Sequence, residues 1–404
     1  MLGCEGHYAR YTALKAQAMS DSGLEVTIVG FPERYDLVTT QKRLQYISVF
    51  KTLSPSKRIQ ADKWRLRLGN YWTFIVEIFL VHKFAFKYAR QHQYDILFFS
   101  EIIPWLILPN LISARLSKRS IPVAGYLHSY YYNNFASSRQ NIHSRIQERI
   151  NKTSVRFLPF FMNLICDGDF IRQHLFKDKR HKIHIIPNGF EPVLKNFLKF
   201  EARQKLGLPL NRRILLLFGV ASAEKGAGLL FQALQKMEPL FDVCVVGKTG
   251  GVYMQSWGND ILAGSSWEKH LHVVERYITD EERCLYYSAC DGVILPYRYG
   301  FIVSSGSMND AIAFGKAVIV SDQFEIGRLT KLRRLGLTFT PESVSDLHRV
   351  LEEFASKPQA WYDAITERGK QMAADYSITR MGELYRKLFE ELQQRDYSPN
   401  HNPK

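Results

Sequence analysis

Residues 304–310, Ser-Ser-Gly-Ser-Met-Asn-Asp, set four small residues before an apolar run with helical spacing, and a β-branched segment, Val318-Ile319-Val320, follows. Small side chains at a helix mouth let a phosphate approach the first backbone N–H groups and the positive end of the helix dipole. The donors would be the amides of Ser305, Gly306, Ser307 and Met308, with Asp310 one turn inside. The same residues also read as an ordinary N-cap, because a serine oxygen accepts from the first unpaired N–H groups. A second strand end, FGVASAEKG (218–226), carries Gly219 and places Lys225 beside Gly226, where an ammonium could pair with an anion. Alone, Lys225 reads more simply as a solvated surface lysine. Neither stretch matches the Walker or dinucleotide glycine fingerprints.

The elements around these residues alternate. In the first half, 7–20 reads as a helix, 25–30 as a strand, 70–92 as a helix, 94–100 as a strand, 104–117 as a helix and 121–129 as a strand. A helix near 141–157 and strands over 161–168 and 182–190 complete the series. After a linker around 191–210 a second series begins: strand 213–219, a helix from Ala227, strands 242–247 and 271–278, a helix over 281–290, strand 291–297, the small-residue helix and strand 317–322. Helices near 343–356, 360–374 and 378–394 follow. This βα repetition predicts an α/β chain of two Rossmann-like, doubly wound domains facing across a cleft, with ligands at the carboxyl ends of the strands. The expected division is 1–195 and 196–377, with helix 378–394 packing back across the domains and 395–404 as a disordered tail. A doubly wound domain opens with a strand, yet here a helix comes first. The first strand of the N-terminal domain is therefore missing, and the natural start is expected upstream of Met1.

At 404 residues the chain is too long for one core. Its 46% hydrophobic and 23% charged residues describe a globular protein. A net charge of +15 argues for an anionic partner. The five cysteines form no CxxC pair and read as reduced, buried thiols of a cytoplasmic protein. The twelve histidines show no HxxxH or HExxH spacing, so no metal site is expected. The longest apolar stretch, 71–89, contains Glu77, His82 and Lys83 and fails as a membrane span. It reads as a buried domain helix, or as an interfacial one whose aromatic residues dip into lipid.

In this order, HIIPNGF, FGVASAEKGAGLLFQAL, YITDEERCLYYSACDGVILPYR and NDAIAFGKAVIVSD resemble the retaining nucleotide-sugar glycosyltransferases with two Rossmann-like domains, the GT-B fold, of the group 1 or family 4 kind. The resemblance implies that Lys225 meets the donor diphosphate and that the amides of Gly306, Ser307 and Met308 hold its distal phosphate. It places Asp310 on the donor ribose, where the family has a glutamate, Tyr277 and Ile278 beside the base, and His128 near the transferred sugar. A capped strand terminus accounts for His128 as well. Two departures stand out. The first acid of the family's pair falls at Ile302, and the family's arginine falls within Val220 to Ser222, where no residue is cationic. Arg298, whose fork suits a phosphate, could replace that charge, or could be a surface arginine.

The resemblance implies transfer of a sugar from a nucleotide diphosphate sugar to a polysaccharide, lipid-linked or other glycan acceptor, with retention and without cofactor or metal. A nucleotide-sugar epimerase on the same architecture and a catalytically silent scaffold are the alternatives. Basic segments at 112–119 and 139–156 would suit an anionic membrane surface, making the protein peripheral at the inner face, although a solvated helix face explains them nearly as well. No nucleic-acid partner is expected, because no binding module accompanies the charge.

Overall fold

The computed structural model describes residues 7–30, 44–48, 64–100, 102–116, 121–127, 149–150, 153–169, 173, 182–219, 225–247, 262–300 and 305–396. Contacts divide them into two compact units, one holding the residues up to Gly189 together with those from Ile378 on, the other spanning Phe190–Ser377.

In the first unit the described elements are α1 (His7–Asp21), β1 (Val26–Gly30), β2 (Leu44–Ser48), α2 (Trp64–Gln91), β3 (Leu97–Phe99), α3 (Pro104–Arg115), β4 (Val123–Tyr126), β5 (Asn163–Cys166) and β6 (Ile183–Ile185). Helix α1 buries Ala13, Ala16, Ala18 and Met19 and stops before Gly23, whose φ of +109° suits a residue without Cβ. Helix α2 buries His82, Ala85, Phe86 and Ala89, the i, i+3, i+4, i+7 stripe of a domain helix. All described strand pairs are parallel, in two groups, β1-β2 and β3-β4-β5-β6. Gly125 lets β4 pack tightly, since a Cβ there would lie 2.3 Å from Met162 Cε.

The second unit carries α4 (Lys199–Leu206), β7 (Ile214–Phe218), α5 (Ala227–Leu234), β8 (Asp242–Val246), β9 (Leu271–Val274), α6 (Asp280–Ala289), β10 (Gly292–Leu295), α7 (Gly306–Ala313), β11 (Ala317–Ser321), α8 (Phe324–Arg333), β12 (Gly336–Phe339), α9 (Val344–Ser356) and α10 (Gln359–Asp375). Its six strands form one parallel sheet in the order β12-β11-β10-β7-β8-β9. Alternate strand residues feed two cores. Ile214, Leu216, Cys244 and Val246 meet Tyr287 of α6 and Ile312 of α7; Leu215, Leu217, Val243 and Val245 meet Phe231 of α5 and Phe354 of α9. Burial on both faces explains why these strands are continuous apolar runs.

The stretch expected as a linker, 191–210, contains helix α4. The helix is short and rich in charge, so no apolar period reveals it, and a buried ion pair holds it in place. Arg203 Nη2 donates to Asp291 Oδ2 at 2.8 Å, with side-chain exposures of 3% and 4%. Arg203 also donates to the carbonyls of Ala289, Pro209, Leu210 and Arg212, while Asp291 accepts from the Ile214 amide at 2.7 Å. The start of β7, the end of α6 and the turn after α4 are thereby tied to one carboxylate and one guanidinium.

The last helix, α11 (Ile378–Asp396), belongs to the first unit. It lies along α1, where a Cβ at Gly382 would come within 2.2 Å of the Ala18 carbonyl oxygen. Its Met381, Tyr385, Leu388, Phe389 and Leu392 share a core with Ala124 and Tyr126 of β4 and Ile165 of β5. Residues 397–404 lie outside the described residues. The chain crosses between units twice. On one side Phe190 and Ser377 form a parallel bridge, with the Phe190 amide donating to the Tyr376 carbonyl at 2.7 Å. On the other, Gly189 packs against Ile378.

Two stability changes are expected. Asp291→Ala strands a buried guanidinium and should destabilise the second unit by about 3–5 kcal/mol, read from urea unfolding. His82, buried against Phe99 with Nδ1 unpaired among the described residues, has its pKa lowered to about 4 by desolvation. Its neutral ring is tolerated above the unfolded value of 6.5. As pH falls from there toward about 4 the unfolded chain takes up a proton that the folded chain refuses, at a cost of about 3 kcal/mol. His82→Leu should flatten that acid loss in urea titrations across the same pH range.

Candidate active site

The order of the second sheet reverses at β7 and β10. From β7 the chain turns to α5 on one face; from β10 it turns to α7 on the other. Such a reversal opens a crevice at the carboxyl ends of the two strands. Lys225 and the Ser305–Ser307 segment both come from these two loops.

Backbone geometry fixes the lysine. Gly226 has φ +70°, and a Cβ there would lie 1.8 Å from the Pro296 carbonyl oxygen, so the start of α5 is seated on the end of β10. Gly219, with φ +111°, closes β7 by donating its N–H to Val246 at 2.9 Å. A Cβ on Gly219 would point into the crevice, 3.1 Å from Lys225 Nζ and 3.6 Å from Ser307 Oγ. Lysine and serine thus flank one small space that a side chain at 219 would fill. Burial lowers the Lys225 pKa, and among the described residues its ammonium has no ion-pair or hydrogen-bond partner. A half-buried cation left unpaired is costly unless an anion joins it.

At the mouth of α7 the capping and anion readings both hold, at different amides. Ser305 is the N-cap, its Oγ accepting from the Met308 N–H at 3.2 Å and bonded to the buried Tyr297 hydroxyl at 2.7 Å. The Met308 amide, expected to meet phosphate, is therefore already used. The amides of Gly306 and Ser307 have no acceptor among the described residues. Ser307 Oγ donates to the Phe218 carbonyl at 3.1 Å and joins α7 to the end of β7.

The remaining expected residues are placed as follows. Asp310 accepts from Arg283 Nη1 at 2.7 Å. Tyr277 is exposed and Ile278 half-buried in the turn between β9 and α6, just before the Thr279 capping box. Arg298 is exposed, and its Nε donates to both carboxylate oxygens of Glu342, at 3.0 and 3.2 Å. The structure thus gathers Gly219, Lys225, Ser305, Gly306 and Ser307, while Arg298 and Asp310 have ionic partners of their own. His128, Ile302 and the stretch 220–222 lie outside the described residues. Gln323 was not legible as a site residue. Its amide nitrogen donates to the Tyr297 and Arg298 carbonyls, at 3.0 and 2.9 Å, and its oxygen accepts from the Gly300 amide, shaping the loop after β10. A polar residue directly after a buried strand, in VSDQFE, was the available signal.

Residues 9–193 match the family model of Glycosyltransferase Family 4. Sucrose-phosphate synthase from Thermosynechococcus elongatus superposes with a TM-score of 0.68 at 18% identity, covering 96% of this chain and 94% of that one. Anabaena HepE, solved in complex with UDP-glucose, gives 0.66 at 15% identity over 96% and 97% of the two chains. The chain has the GT-B fold. WaaG, a glycosyltransferase involved in lipopolysaccharide biosynthesis, adds a TM-score of 0.62 at 14% identity, with 95% of each chain covered. No curated protein matches the sequence. The family match and the fold together support a glycosyltransferase.

Gly226→Ala should displace Lys225 by forcing α5 away from Pro296. A positive φ and a main-chain conflict predict a loss of about 2–3 kcal/mol in the second unit, measured by thermal unfolding.

Proposed function

We propose that the protein transfers a sugar from a nucleotide diphosphate sugar to a glycan or lipid-linked acceptor, with retention of configuration as the family resemblance implies. The observation that carries this reading is the half-buried ammonium of Lys225, unpaired among the described residues, across a glycine-lined space from Ser307 and from the Gly306 and Ser307 amides, which no described residue accepts from. A diphosphate supplies the missing charge and acceptors. When the bond from sugar to diphosphate breaks, negative charge builds on the leaving oxygen, and a preset cation and helix amides stabilise it without reorganisation. The ribose then meets Asp310, and the base lies toward Tyr277 and Ile278. HepE with UDP-glucose supports a nucleotide-sugar donor, and WaaG supports an acceptor of the lipopolysaccharide kind.

The first unit supports a lipid-linked acceptor through α3, where Ile112 and Leu116 are exposed beside Arg115. Such a surface suits anionic headgroups. Among the described residues no helix is long and apolar enough to cross a membrane.

The test is calorimetric titration of the full chain with UDP, GDP and ADP. One of them should bind, and Lys225→Ala should weaken it by about 10–100-fold. Because the ammonium loses its proton below the ordinary lysine range, affinity should fall as pH rises toward that range. A scaffold reading gains from the pairing of Arg298 and Asp310 within the protein, and absence of binding by all three nucleotides decides for it.

A further inference from the structure

Arg283 lies within the stretch YITDEERC, at a position to which the resemblance gave no role, and it forms an ion pair with Asp310. It projects from α6 with its side chain 14% exposed, against 19% for Asp310 and 9% for Glu191. Nη1 makes the 2.7 Å bond to Asp310 Oδ1, Nη2 stands 3.7 Å from Glu191 Oε2, and Nε stands 3.7 Å from Asp280 Oδ1. Three carboxylates thus surround one guanidinium, and two of them are largely withdrawn from solvent. Electrostatic neighbours raise the Arg283 pKa despite the opposing effect of burial.

We infer that Arg283 is a positioning residue that sets the Asp310 carboxylate for hydroxyl recognition on the donor ribose, with Glu191 holding the guanidinium from the far side. The inference rests on the nucleotide-sugar reading above. Its physical basis is reach and freedom. Aspartate is one methylene shorter than the glutamate of the family pattern, so a ribose contact demands that its rotamer be fixed. A charge-assisted bond of 2.7 Å to a guanidinium that Glu191 and Asp280 also attract, each from 3.7 Å, supplies that constraint. Asp310 lies one turn inside α7, and the Gly306 and Ser307 amides open at its start, so the carboxylate sits on the same short helix as the proposed phosphate donors. Glu191 follows Phe190, where the chain enters the second unit. A merely structural tie between α6 and α7 would contribute to stability and leave ribose selectivity untouched.

The experiment titrates the full chain with whichever of UDP, GDP and ADP binds, with its 2′-deoxy and 3′-deoxy counterparts, and with inorganic pyrophosphate. The wild type should prefer the ribonucleotide over at least one deoxy form by about 10-fold or more, the worth of a hydrogen bond to a charged group. Arg283→Gln should shrink that ratio to about 3-fold or less, leave pyrophosphate affinity unchanged, and be partly rescued by Arg283→Lys. Asp310→Ala should abolish the ratio, and Arg283→Gln on that background should change nothing further. Should Arg283→Gln not fold, Arg283→Lys carries the test through an intermediate ratio. An unchanged ratio in the folded Arg283 variants, or a ratio that survives Asp310→Ala, overturns the inference while leaving the donor reading intact. A wild type that binds none of the nucleotides sinks both.

Discussion

A methyl group at position 226 would lie 1.8 Å from the Pro296 carbonyl oxygen, and one at 247 would lie 2.1 Å from that of Gly219. Main chain touches main chain at these points, and no side-chain adjustment could restore the approach. The two contacts fix the ends of β7, β8 and β10 relative to the start of α5. Lys225 inherits its position from that arrangement, as does the space in front of Gly219. The crevice is therefore a property of the backbone, in which glycines at positive φ replace what would otherwise be clashes. Ser307 then needs only one hydrogen bond, to Phe218, to bring the mouth of α7 alongside.

Charge is distributed unequally around this backbone. Arg203 is saturated by four carbonyls and Asp291; Arg283 is shared among Asp310, Glu191 and Asp280; Arg298 is turned to Glu342. Buried Asp242, at the opposite end of β8 from the crevice, meets Arg212 at 2.6 Å and lies 3.3 and 3.2 Å from His270 and His272. Among the described residues Lys225 differs from these groups in having no ionic partner. Paired charges inside a protein contribute little net stability and much definition of geometry, whereas an unpaired one is tolerated where a ligand completes it. Among the described residues the contrast separates charges that hold the second unit together from Lys225, which none of them pairs.

The strands of the second unit were readable because each is buried on two faces, and RILLLFG, DVCVVG and AVIVS leave little else to be. Elements with one covered face or none were not. Helix α4 passed for a linker because its hold on the sheet runs through Arg203, a residue type that ordinarily signals solvent. Strand β12 is three half-buried residues and the buried Phe339 at a sheet edge, and α8 has a weak apolar stripe amid its charges. At the site, small residues and a lysine beside glycine pointed to Gly219, Lys225, Gly306 and Ser307. The loss of the Met308 amide to Ser305 is a matter of rotamer. The bond from Arg283 to Asp310 spans 27 residues and depends on how α6 and α7 pack, which no local pattern encodes.

Helix α11 is the final segment described, yet Tyr385, Leu388 and Phe389 fill the interior of a unit whose other elements all precede residue 190. During ribosomal synthesis the second unit, continuous from Phe190 to Ser377, emerges with everything its core requires. The first must wait with the α1 face and the neighbouring face of β4 uncovered until α11 has been made. The first unit is thus begun before the second and completed after it, and for that interval its apolar surface has no cover from α11.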